Sequence, residues 1–162
     1  MFRSVIMKLT AFCNLNCSYS YMFNQADRTY SRIPKHLPLA TALLCLDRVQ
    51  EHLSSHGERS FNVTLHGGEP TLWPLASFRQ LLRRAEAIRA AGLDLRVSMQ
   101  TNAVRIPPGL LELLAEHDVP LGISIDGPQS YNDSTRVTHG GGGSYDQVAL
   151  PYVAASRQAA SA

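Results

Sequence analysis

The segment Phe61-Asn62-Val63-Thr64-Leu65-His66-Gly67-Gly68-Glu69-Pro70 opens as a strand and stops at a turn. Phe61, Val63 and Leu65 share one face; Asn62, Thr64 and His66 share the other, the period-2 signature of a half-buried strand. A parallel strand covered on both faces is apolar throughout, and this one is not. Two later segments repeat the pattern. Leu93, Leu95, Val97 and Met99 oppose Asp94, Arg96, Ser98 and Gln100, and Leu121, Ile123 and Ile125 oppose Gly122, Ser124 and Asp126. The apolar faces pack under helices. The polar faces must meet water or a polar ligand, which suits a curved sheet with a polar concave side better than a flat doubly wound one.

Working outward, four strand-then-helix units follow one another. The strands are expected at Val5–Thr10, Phe61–His66, Leu93–Gln100 and Val119–Ile125. Leu39, Leu43, Leu46, Val49 and Leu53 form one helical stripe, with Gly57 as its stop. Leu75, Phe78, Leu81, Leu82, Ala85 and Ile88 form a second, ended by Gly92. Pro107 and Pro108 open a third helix through Leu110, Leu111, Leu113 and Leu114, and a weaker fourth follows Ser144. The alternation predicts an α/β fold of parallel βαβ units with right-handed crossovers. Polar residues gather at the C-terminal strand ends, where such folds place their sites. Gly140 to Gly143 reads as a mobile loop, and residues 154–162 as a frayed helix end or a truncation point.

Composition narrows the class. In 162 residues, 15 Lys and Arg face 13 Asp and Glu, a formal charge of +2. That excludes an electrostatically driven nucleic-acid binder or a polybasic membrane anchor. With 44% hydrophobic and 17% charged residues the chain is globular, of a length that suits one domain. No apolar run approaches the roughly 20 residues that cross a bilayer. Lys8 interrupts the apolar start and no small-residue cleavage site follows, so a signal peptide is not expected. Three cysteines are an odd number, which argues against a disulfide scaffold and for a reducing cytoplasm.

The segment that carries chemistry is Cys13-Asn14-Leu15-Asn16-Cys17-Ser18-Tyr19-Ser20-Tyr21, directly after the first strand. Two cysteines four apart on a loop can aim both sulfurs at one soft metal or cluster; on spacing alone, a chance pair stands at even odds. Cys-x-x-x-Cys-x-x-Cys after a first strand is the signature of the radical S-adenosylmethionine (radical SAM) enzymes. The sequence resembles that family closely: Cys13 and Cys17 match, Tyr19 matches the aromatic before the third cysteine, and Ser20 stands where that cysteine belongs. Gly67-Gly68-Glu69-Pro70 resembles the family's Gly-Gly-Glu-Pro. Gln100-Thr101-Asn102 resembles its Gln-Thr-Asn-Gly, with Ala103 for glycine, and Ser124-Ile125-Asp126-Gly127-Pro128 resembles Ser-x-Asp-Gly-Pro. Arg136 lies where one branch keeps an arginine, and Gly143 to Val148 resembles the entry into helix four. The resemblance spans residues 5 to about 150. Asn24-Gln25-Ala26-Asp27 and His66 are similar to the peptide-modifying maturases, of SPASM and sulfatase-maturating type.

The resemblance implies a partial (β/α) barrel with about four of six units present. Residues 1–162 would be a single core domain, the N-terminal portion of a longer enzyme without its C-terminal auxiliary-cluster domain. It implies two cofactors, a [4Fe-4S] cluster and S-adenosylmethionine, and reductive cleavage to a 5′-deoxyadenosyl radical that modifies a peptide or protein side chain. Cys13, Cys17 and Ser20 take the metal positions. Tyr19, Gly67, Gly68, Glu69, Gln100, Asn102, Ser124, Asp126 and Arg136 take the cofactor-binding positions. The glycines let backbone approach the ligand, Glu69 holds an ammonium group, and Arg136 pairs with a carboxylate. The implied partners are a precursor peptide or protein substrate and a reductant such as flavodoxin or ferredoxin, with neither nucleic acid nor membrane. An unpaired sheet edge invites homo-oligomers.

Ser20 breaks the ligand set, because a hydroxyl is harder and far less acidic than a thiol. The chain is therefore expected to hold a cluster weakly or not at all. An engineered change, a natural degenerate homologue and a serine-ligated cluster all remain open. Cys45, on the apolar stripe of the first helix, is expected to be a buried core thiol. His36, His52, His56, His117 and His139 are expected at the surface, His66 is a candidate site residue, and Trp73 is expected to pack at the second helix start. The rival readings are a cluster-free module that binds S-adenosylmethionine or a peptide, and an inactive truncated homologue.

Overall fold

A computed structural model of the protein describes residues 2–148. Four parallel strands alternate with helices: β1 (Ser4–Thr10), α1 (Leu39–His56), β2 (Ser60–Gly67), α2 (Leu75–Ala90), β3 (Asp94–Thr101), α3 (Leu110–Glu116), β4 (Leu121–Ile123) and α4 (Gln129–Thr135). The sheet runs in chain order, β1-β2-β3-β4. Its register aligns Lys8 with His66, Thr64 with Ser98, and Gln100 with Gly122. No helix among the described residues is long and apolar enough to cross a membrane.

The alternation in the strands sorts the two faces as expected. Phe61, Val63, Leu65, Leu95, Val97 and Met99 are buried together with Leu46, Leu53, Phe78, Leu81, Leu82, Ala85 and Ile88 of the helices. Each such large side chain contributes about 1.5–3 kcal/mol by leaving water. Asn62, Thr64, His66, Ser98 and Gln100 on the other face stay exposed or half-buried. α1 ends at Gly57, whose φ of 66° closes the helix with an N–H to Leu53 O. Trp73 packs edge-on against Phe78 and donates its indole N–H to Leu37 O at 2.9 Å, as its position at the start of α2 suggested.

Several expectations are corrected. Pro107 and Pro108 stand ahead of α3 rather than inside it, for Gly109 at φ 79° is its N-cap. β4 is three residues long; Val119 is buried before it begins. α4 has no apolar stripe to betray it: of Gln129-Ser130-Tyr131-Asn132-Asp133-Ser134-Thr135 only Asn132 is buried. The helix expected after Ser144 starts at Tyr145, and its continuation and residues 154–162 lie outside the described residues. Gly140 to Gly143 form a closed turn, with Thr138 N–H on Gly142 O and Gly141 N–H on Thr138 O. Cys45 is half-buried at the core's margin. His117 is buried at 5% exposure against Glu86, 2.9 Å away, and His36 is half-buried and stacks on Phe12.

Ala103 adopts φ 53°, at the position where the resembled motif has glycine. A Cβ in the left-handed region costs about 1–2 kcal/mol, and glycine returns about 0.4–1 kcal/mol of that through its freer unfolded chain. Ala103→Gly is expected to stabilise the chain by about 0.5–1 kcal/mol, read as a higher urea midpoint at unchanged slope.

Candidate functional site

Most of the polar residues at the C-terminal strand ends converge on one cavity of about 240 Å³. Its first wall is the loop after β1. That loop does not hang free, because Asn16 N–H bonds Val137 O at 2.7 Å, Ser18 N–H bonds Thr135 O at 3.0 Å, and Leu15 pairs antiparallel with Thr138. Leu15 is itself buried at 2% exposure and pins the loop inward. Ser20 N–H closes back on Cys17 O at 3.0 Å. This geometry turns Cys13, Cys17 and Ser20 into the same cavity.

The Gly67-Gly68 turn supplies the second wall. Here the reason for glycine differs from the expected one. A Cβ on Gly68 would overlap Phe12 O, and one on Gly67 would meet Thr10 O at 2.7 Å. The close approach is to the chain's own backbone. Gly68 N–H bonds Thr10 O and Glu69 N–H bonds Phe12 O, both at 2.9 Å, so the turn and the cysteine loop are joined edge to edge.

Glu69 is buried at 1% exposure. Its carboxylate accepts from Thr71 N–H at 3.0 Å, the Thr101 hydroxyl at 2.6 Å and Asn102 N–H at 2.8 Å. Those donors tie the ends of β2 and β3 together. Asn102 then extends Nδ2 to Asn14 Oδ1 at 2.8 Å and towards Cys13 Sγ at 3.5 Å. Gln100 reaches across to the Ser124 hydroxyl at 2.8 Å. The side chain of Gln100 occupies the space where a Cβ on Gly122 would stand, so the glycine is what lets it cross.

Tyr19 and Arg136 form the third wall, with Asp126 outside it as their partner. The Tyr19 hydroxyl donates to Asp126 Oδ2 at 2.6 Å and accepts from Arg136 Nη1 at 2.7 Å. Arg136 is 7% exposed, and its Nε is buried with no partner. The Asp126 carboxylate, 3.8 Å from Nη1, is its only ion pair among the described residues.

Burial pushes both loop thiols up. For Cys13 the desolvation outweighs the Leu15 N–H on its sulfur; for Cys17 it outweighs the pull of Arg136. Both are therefore neutral thiols at pH 7 until something displaces their protons.

Of the twelve sequence-derived site residues, eleven line the cavity, and Asp126 stands outside it as the partner of Tyr19 and Arg136. His66 lines it too. Sequence reading missed the apolar lining of Leu15, Met22 and Phe23. It also missed the support under Arg136. The Asp133 carboxylate takes the N–H groups of Ser144 and Tyr145 at 2.9 and 2.8 Å, and Asn132 Oδ1 takes Asp126 N–H at 3.2 Å. A Cβ on Gly143 would overlap Asp133. An Asn-Asp pair following Asp-Gly-Pro is the local signal that points to such capping.

The donor set fits one of the two implied cofactors and falls short for the other. An unpartnered buried guanidinium Nε and a serine hydroxyl suit an amino-acid head and ribose. For a cluster, two thiols and one hydroxyl are one thiol short of three. Among the described residues no group of three or more His, Cys, Asp or Glu gathers to hold a metal ion.

Comparison with known proteins agrees with this geometry. The chain is 29% identical over 144 residues to a serine-type anaerobic sulfatase-maturating enzyme of Bacteroides thetaiotaomicron, covering 89% of this chain and 34% of that protein. It is 22% identical over 140 residues to a cysteine-type anaerobic sulfatase-maturating enzyme of Clostridium novyi, covering 84% of this chain and 35% of the relative. The fold superposes on native anSMEcpe with bound AdoMet and Cp18Cys peptide with a TM-score of 0.75 at 22% identity, over 91% of this chain and 37% of that one. The chain thus spans about a third of the length of the curated relatives it matches. The Radical SAM superfamily profile matches residues 7–150, a span that holds most of the sheet and every residue lining the cavity, and the chain belongs to that superfamily of enzymes, whose members use a [4Fe-4S] cluster and S-adenosylmethionine.

Proposed function

We propose that this chain is the S-adenosylmethionine-binding core of a peptide- or protein-modifying radical SAM enzyme of the sulfatase-maturase kind, one cluster thiol short. The observation that carries the reading is the cavity itself. Cys13 and Cys17 share it with the Gly67-Gly68 turn, Gln100, Ser124 and the unpartnered Arg136 Nε. When bound, S-adenosylmethionine supplies a sulfonium whose reductive cleavage yields the 5′-deoxyadenosyl radical used by the superfamily. The chain's own residues do the holding. Arg136 takes the carboxylate as a planar fork. Gln100 and Ser124 hold polar atoms of the ligand, and the Gly67-Gly68 turn lines the cavity beside them. Leu15, Met22 and Phe23 exclude water from the thiol side.

The names of the relatives support a peptide or protein substrate. We assign the chain to one core domain in the cytoplasm, served by a reductant such as flavodoxin or ferredoxin, with self-association through an open sheet edge. Ser20 supports a second reading, a cluster-free module that binds S-adenosylmethionine or a peptide without redox chemistry. Calorimetric titration with S-adenosylmethionine, before and after anaerobic cluster reconstitution, separates the two. Binding that tightens with cluster content is the result expected of the enzyme core, and tight binding that ignores cluster content favours the module. No binding in either state removes both, leaving an inactive homologue.

A further inference from the structure

Tyr19 occupies the aromatic position of the cysteine motif, yet its ring is half exposed, at 49%. The defined contacts are made by its hydroxyl, which sits between a carboxylate and a guanidinium, 2.6 Å from Asp126 Oδ2 and 2.7 Å from Arg136 Nη1. A guanidinium has two edges. One Nη taken by Tyr19 leaves the Nε side, and Nε is the buried atom without a partner. The fork that remains is the one that accepts a carboxylate through two parallel N–H bonds.

The backbone strengthens the same link. The loop strand 15–18 pairs antiparallel with 135–138 through Asn16 to Val137, Ser18 to Thr135 and Leu15 to Thr138. Arg136 lies inside that paired segment, and its carbonyl is held by the Ser144 hydroxyl at 2.8 Å. Asp126 in turn is fixed through its N–H on Asn132 Oδ1. Main-chain pairing sets where Arg136 stands, and the Tyr19–Asp126 pair sets how its head is turned.

Resting on the S-adenosylmethionine reading above, the geometry points to Tyr19 and Asp126 as positioning residues that hold Arg136 with its free edge towards the ligand's carboxylate, rather than as groups that touch the nucleoside. The cysteine loop and the carboxylate subsite are thereby one mechanical unit. Ordering the loop orients the guanidinium, and by linkage a ligand that engages the guanidinium orders the loop.

Two ligands distinguish this role from direct contact. S-adenosylmethionine carries the carboxylate; 5′-methylthioadenosine keeps the nucleoside and lacks the amino-acid head. Calorimetric titration of the wild-type chain, Tyr19→Phe, Asp126→Asn and Arg136→Lys with both probes is the experiment. Tyr19→Phe is expected to weaken S-adenosylmethionine by about tenfold, the size of a lost hydrogen bond to a charged group. Methylthioadenosine affinity is expected to stay within about twofold. The Tyr19→Phe/Arg136→Lys double variant is expected to lose little more than Arg136→Lys alone, because the two residues act through one contact. Equal loss of both probes in Tyr19→Phe, or fully additive losses in the double variant, overturns the proposal.

If the wild-type chain binds neither probe, the S-adenosylmethionine reading fails first, and hydrogen exchange then judges the clamp alone. Faster exchange of the Ser18 and Arg136 amides in Tyr19→Phe supports it; unchanged exchange overturns it.

Discussion

Ser20→Cys is expected to turn a chain that retains little iron into one that retains about four irons per molecule after anaerobic reconstitution with ferrous iron and sulfide. The argument is positional as well as chemical. Ser20 already lines the cavity with Cys13 and Cys17, and the loop that carries it is tied at Ser20 N–H, Ser18 N–H and Asn16 N–H. A hydroxyl gives up its proton far less readily than a thiol and is a harder donor, so it closes a poor third corner. Losing a hydrogen-bond partner of a metal ligand lowers metal affinity about 10–100-fold, and a missing ligand costs no less. Burial raises the pKa of both existing thiols. Metal must therefore displace their protons, and cluster assembly is expected to quicken as pH rises. Iron content and the visible cluster absorbance are the readouts, with Ser20→Ala as the control. Equal iron in the wild-type chain and Ser20→Cys sinks the argument. Full iron in the wild-type chain that disappears in Ser20→Ala identifies the serine as a ligand.

Glu69→Ala is expected to bring the fold close to unfolding at room temperature. Glu69 is buried, and its carboxylate accepts from Thr71 N–H, Thr101 Oγ1 and Asn102 N–H where they meet. Each donor left buried and unpaired costs about 1–3 kcal/mol, so the total is about 3 kcal/mol or more. Domains of this kind hold about 5–15 kcal/mol in all. Glu69→Gln keeps one acceptor but sets an amide donor against a donor, and should cost about 1–3 kcal/mol. The contrast is Glu58, which pairs with Arg3 at 3.2 Å where the arginine side chain is 72% exposed. Glu58→Ala should change stability by less than about 1 kcal/mol. Urea unfolding of the three variants measures the order. A Glu69→Ala chain within about 1 kcal/mol of the wild type contradicts the role assigned to the carboxylate.

That role shows where reading residues in order succeeds and where it stops. Gly67-Gly68-Glu69 was recognisable in the chain, and so was its place at a strand end. The direction in which each group works was not. The glycines make room for Thr10 and Phe12, residues some 57 positions away, and the carboxylate serves Thr101 and Asn102. Such partners come from another strand and leave no local pattern. The helix at Gln129–Thr135 escaped for the opposite reason. Its signal is a capping and hydrogen-bonding one carried by Asn132 and Asp133, with no apolar period to detect.

Order along the chain was enough to determine the parallel α/β units, the helix stripes, the turn at Gly57 and the gathering of polar residues at one end of the strands, because strand ends in such folds face one way whatever the side chains are. Which of those residues reach inward and which hold others in place was decided only by the tertiary structure. Tyr19 meets Asp126 across 107 positions and Arg136 across 117. Hydrogen bonding is satisfied by proximity in space, and a sequence specifies that proximity only after the sheet has brought its strand ends together.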